Sequence, residues 1–123
     1  MLVIRNAQWT AIESSLHRAF ETRAIAELRA SRARELQELD DDALHTHVRN
    51  GIRVALEHGI SDEAFVLILL ELMVDFGWDF QSSTQTLWAM DILSQGELTE
   101  DEKIAELLHH RLSLMLEKQH ALG

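Results

Sequence analysis

Glu71 and Asp75 stand at i and i+4 in the most apolar stretch of this 123-residue chain, with Asp79 one turn beyond. Two carboxylates held in an apolar setting can act as acid and base when burial raises one pKa. The same pair has a plainer use, as the points where a buried helix reaches solvent or meets a cation. Arg23, from the first helix, is the expected cation. Arg23, Glu71 and Asp75 are therefore read as a structural ion-pair set and not as a catalytic one.

Seven histidines raise the question of a metal. His45 and His47 are two apart, so on a helix they point about 200° from each other and cannot share an ion. His109 and His110 diverge similarly. Glu106 and His109 match the Glu-x-x-His spacing of di-iron bundles, but that site takes two such motifs plus two further carboxylates. The chain has no cysteine, which excludes disulfides, thiolate ligands and cysteine nucleophiles. No G-x-S-x-G, Walker loop, G-x-G-x-x-G or H-E-x-x-H occurs. The expectation is a protein that is not an enzyme and holds neither metal nor cofactor.

The elements that must position these residues are helical. Proline is absent, and the five glycines act as punctuation. A first helix is expected from an Asn6 cap to about Leu39, with Trp9, Ile12, Leu16, Phe20, Ala24 and Leu28 as its apolar stripe. The stripe fades after Leu28, so the last part of that helix is a place for a break. Asp40-Asp41-Asp42 opens a second helix, whose buried face is Leu44, Val48, Ile52 and Ala55. Gly59 and Ile60 close it as a left-handed cap with its apolar contact.

Ser61 is expected to cap the third helix, with Asp62 and Glu63 in its first turn. Phe65, Val66, Ile68, Leu69, Leu72, Met73 and Phe76 leave it almost no polar face, the mark of a helix surrounded by others. Gly77 ends it. A short helix follows from about Thr86 to Ser94. Thr99 and Glu102 then form a capping box for a last helix to about Gln119, with Ile104, Leu107, Leu108, Leu112, Met115 and Leu116 inward. The chain is expected to be one all-α domain, residues 1–123, a compact bundle of about five helices around a buried third.

Charge separates along the chain. Residues 1–34 carry six arginines against three glutamates, whereas residues 54–106 carry twelve acids against Lys103 alone. A net charge of −10 repels a phosphate backbone and argues against nucleic acid as a partner. The longest apolar run, Ala64 to Leu70, falls far short of the roughly 20 residues that span a bilayer. The first residues lack the basic and apolar regions of a secretion signal, so a cytoplasmic location is expected. Trp78, Asp79, Phe80 and Trp88 cluster around a polar loop. They are the candidate partner-binding residues, since tryptophan is enriched in binding hot spots; if buried, the same aromatics close the end of the core. The long first helix offers a surface for self-association.

The sequence also resembles a largely uncharacterised family of small bacterial proteins. The resemblance rests on Asn6-Ala7-Gln8, Phe20-Glu21-Thr22-Arg23 with Leu28-Arg29, Gly51-Ile52, and His58-Gly59-Ile60. It continues through Leu72-Met73, Phe76-Gly77, Asp79-Phe80, Trp88-Ala89 and Ile92-Leu93. Members tend to be encoded in type VI secretion effector clusters, beside a PAAR spike-tip protein and an effector adaptor chaperone, and include co-TecT-like co-chaperones. Where relatives carry prolines, this chain holds Arg32-Ala33-Arg34 and Gln85-Thr86-Leu87, which leaves the geometry of both junctions open.

The resemblance implies a co-chaperone or co-adaptor that assists effector loading, with an adaptor chaperone, effector or PAAR protein as partner. The alternative is an immunity protein that covers a basic toxin site with acidic residues. An enzyme with no recognisable signature ranks third. Independently of partner, the buried third helix makes a prediction: Leu72→Ala should lower unfolding free energy by about 2–5 kcal/mol in urea titrations.

Overall fold

The structure, a computed structural model, describes the backbone of residues 6–122 and the side chains of residues 18–117. The described chain is all-α. Its elements are α1 (Asn6–Ser31), α2 (Ala33–Leu36), α3 (Asp41–Glu57), α4 (Glu63–Phe76), a 3-10 turn (Thr84–Thr86), α5 (Leu87–Leu93) and α6 (Glu100–Leu122). Contacts divide into two compact units, residues 1–50 and 51–123, and the division falls inside α3. Among the described residues, no helix is long and apolar enough to cross a membrane.

In the first unit the expected single helix to Leu39 is two helices. Arg32 leaves the helical backbone at φ −127°, ψ 38°, and a one-turn α2 follows. The reversal has a chemical anchor in Arg29. Its guanidinium donates to the carbonyls of Leu36 and Leu39, each at 3.0 Å, and to the Asp41 carboxylate at 2.9 Å. Carbonyls left without helical partners are thereby satisfied, and Leu36 turns inward to be fully buried. Phe20, Ala24 and Leu28 are buried on α1 as their spacing implies. Trp9, Ile12, Leu16 and the Asn6 cap lie outside the described side chains. Asp40 caps α3, its carboxylate accepting from the Ala43 N–H at 2.8 Å.

In the second unit, α3 ends as its sequence suggests. Gly59 sits at φ +78°, the Ile60 N–H donates to the Ala55 carbonyl at 2.9 Å, and Ile60 is fully buried. The start of α4 is one residue later than expected. Asp62, not Ser61, is the cap, its carboxylate accepting from the Ala64 and Phe65 N–H groups at 2.9 and 3.4 Å. The Ser61 N–H is occupied elsewhere. It and the Asp62 N–H both donate to Glu100 on α6, at 3.1 and 3.0 Å.

One turn on, the buried Lys103 donates to the His58 carbonyl at 2.8 Å. A carboxylate thus serves the amino end of α4 and an ammonium the carboxyl end of α3, each at the pole that favours its charge. The Thr99–Glu102 capping box forms as read, at 2.9 and 3.3 Å.

The core of this unit is built on α4, whose Val66, Leu69, Leu70, Leu72 and Met73 are buried. Phe65, Ile68 and Phe76 are half-buried, so α4 keeps a partly accessible side. α3 approaches α4 at Gly51, where an added Cβ would lie 2.4 Å from Leu70 Cδ2 and 3.0 Å from Met73 Sδ. Leu70 and Met73 are themselves buried and have little space to retreat into. Helix propensity favours any residue but proline at Gly51 by up to about 1 kcal/mol, but overpacking opposes it with about 1–3 kcal/mol. Gly51→Val, with two further methyls, should therefore destabilise by about 2 kcal/mol, measured as a lower urea midpoint at unchanged slope.

Candidate partner-binding surface

The aromatic residues singled out in the sequence separate into different environments. Gly77, at φ +112°, closes α4 with its N–H on the Met73 carbonyl, and the chain then turns through Trp78, Asp79 and Phe80. Phe80 is fully buried, and the buried Thr86 hydroxyl donates to its carbonyl. Phe80 thus anchors the loop to the core and presents no surface. Asp79 is exposed, and its carbonyl accepts from the Ser82 and Ser83 N–H groups, each at 2.9 Å. Trp78 is half-buried.

Trp88 is half-buried between two rings. Phe76 meets it edge-on, with centroids 5.6 Å apart, and His110 stacks on it at 4.2 Å with planes 8° apart. The Trp88 indole N–H donates to the Gln85 carbonyl at 3.1 Å. This sandwich ties α4, α5 and α6 together at one place. Its His110 member was not apparent from the sequence, because ring stacking between residues 22 apart leaves no local pattern.

The carboxylates of α4 also find their places. Asp75 pairs with Arg111 of α6 at 3.0 Å, a partner the sequence did not suggest. Glu71 is half-buried on the same helix. Arg23 lies in the first unit, its guanidinium 5.8 Å from the Phe20 ring centroid. Beside the Asp75–Arg111 pair is a cavity of about 250 Å³, lined by Asp75, Phe76, Arg111, Leu114 and Met115.

The largest departure from the sequence reading is on α6. Ile104 and Leu107 are buried as expected, but Leu108, Leu112, Met115 and Leu116 are exposed, at 36, 55, 52 and 51 %. The reason is direction. Ile104, Leu107 and Arg111 turn toward the core and the Asp75 carboxylate of α4, and at about 100° per residue Leu108, Leu112, Met115 and Leu116 fall on another side of the helix. Those four residues recur at spacings of three and four, so they form one continuous outward stripe, and scattered single leucines would not. Among the described residues, no three histidine or acidic side chains converge as a metal site.

Comparison with protein-family models, curated proteins and solved structures returned no significant match for this chain.

One titratable cluster lies in the first unit. Glu21 is buried and accepts from Arg49 at 3.0 Å and meets His45 Nδ1 at 2.8 Å, tying α1 to α3. Burial alone raises its pKa, but the hydrogen bonds from Arg49 and His45 and their charges outweigh it, and the carboxyl sits below its ordinary 4.5. A carboxyl depressed in the folded state stabilises fully above the unfolded pKa and loses that contribution as pH falls through the folded one. Glu21→Gln should therefore lower stability by about 1 kcal/mol at pH 7. In urea titrations across pH, its deficit relative to the natural chain should shrink below the ordinary value of 4.5.

Proposed function

We propose that this chain is a non-catalytic binding protein, an accessory co-chaperone that assists the adaptor of a type VI secretion effector. The observation that carries the binding reading is the exposed stripe Leu108, Leu112, Met115 and Leu116 on α6. An apolar stripe of this size on a soluble surface is a standing cost in solubility, and a partner face is its ordinary explanation. The adaptor as partner comes from the sequence resemblance.

The acid-rich segment 54–106 supports an immunity protein as the second reading, because acidic residues suit a basic toxin surface. The two part in one experiment. The tagged chain, expressed with the adaptor and effector of its own gene cluster, should retain the adaptor on affinity resin, and its deletion should reduce effector export without exposing the cell to the toxin. Toxin protection by this chain alone, with no adaptor retained, would establish the immunity reading instead.

A further inference from the structure

We infer that the outer face of α6 seats a helix of the partner protein that is apolar on one side and carries lysine or arginine along its flanks. This names the partner's chemistry under the binding reading above, and rests on it. The stripe from Leu108 to Leu116 runs ~12 Å along α6, the length of two turns of a docked helix. It is also continuous with a socket. Met115 belongs both to the stripe and to the cavity of about 250 Å³ beside Asp75 and Arg111. That cavity has room for one large apolar side chain, and an unbranched methionine at its lip adapts to what enters.

Charge selects the occupant. The first turn of α6 is Glu100, Asp101 and Glu102, and Asp101 lies at the head of the stripe, seven residues before Leu108. Lys103, the lone cation of segment 54–106, is buried on the His58 carbonyl and does not offset these acids at the surface. Arg111 is matched by Asp75. A cationic flank is therefore drawn to this face. A second copy, at −10, and an anionic membrane are both repelled as whole bodies.

The test uses the full chain and a labelled peptide of about 18 residues, long enough to hold a helix, with leucine on one face and lysine on the other. Fluorescence anisotropy should show binding that weakens with added salt. An analogue with glutamate in place of lysine should bind at least about tenfold more weakly. The double variant Leu112→Gln/Met115→Gln removes apolar contact without changing charge, and should also weaken binding by about tenfold or more. Both positions are exposed, so circular dichroism should be unchanged. Leu87→Gln, which alters an exposed leucine of α5, should leave affinity within about twofold.

Equal binding by the double variant, or equal affinity for the glutamate peptide, overturns the proposal. So does self-association in light scattering, or binding to phosphatidylglycerol vesicles, that the same double substitution abolishes. With the adaptor as prey, retention by the natural chain and the double variant alike removes α6 as the seat and leaves the binding reading standing. No retention by either removes the reading itself.

Discussion

The architecture of residues 51–123 depends on how closely α3 can lie against α4. At Gly51 the side chains of Leu70 and Met73 from α4 rest directly on the α3 backbone and fill the space a Cβ would take. The connector His58–Asp62 then joins the two helices, and Lys103 and Glu100 of α6 reach its two ends. Both groups stand on one face of α6, a turn apart.

What was legible in the sequence was what the chain encodes locally. The Gly59–Ile60 cap, the Thr99–Glu102 box and the buried face of α3 are all fixed by neighbours within four or five residues, and each formed as read. The cap of α4 was displaced by one residue because Ser61 and Asp62 are both good caps by type. Glu100, nearly forty positions away, holds the backbone N–H groups of both residues, a contact no local pattern announces. Asp75 with Arg111 and Trp88 with His110 were illegible for the same reason. The direction of the α6 stripe was harder still. Leucines at spacings of three and four mark an apolar face, and the pattern is identical whether that face meets a core or a partner. Only the long-range contacts of α6, such as Arg111 with Asp75, decide which side faces inward.

The two junctions at Arg32 and at Thr84–Thr86, in a chain without proline, show how side chains substitute for a backbone constraint. Proline would break a helix by removing a donor. At Arg32 the break is instead held open from both sides, by Arg29 reaching forward to the Leu36 and Leu39 carbonyls and by Leu36 turning inward. At Thr84–Thr86 a 3-10 turn does the same work, capped by the Ser83 hydroxyl on the Gln85 N–H at 3.1 Å and pinned by Thr86. These junctions are polar and buried in part, so they set direction through hydrogen bonds that proline could not make.

Within α6 two regimes meet in one continuous element. The turns around Lys103, Ile104 and Leu107 are buried and cooperative with the rest of their unit. Residues 112–117 are exposed apart from the half-buried Leu114, so their own backbone ladder and the nucleus supplied by the buried half do most to keep them wound. Helicity there is a propagation equilibrium, and amide protection should decline along the helix as it leaves the core. A partner that settles on these turns must therefore bear the cost of ordering them. Its grip can be tuned by the winding preference of residues it never touches, such as Ser113, whose replacement by a stronger helix former alters readiness and not contact.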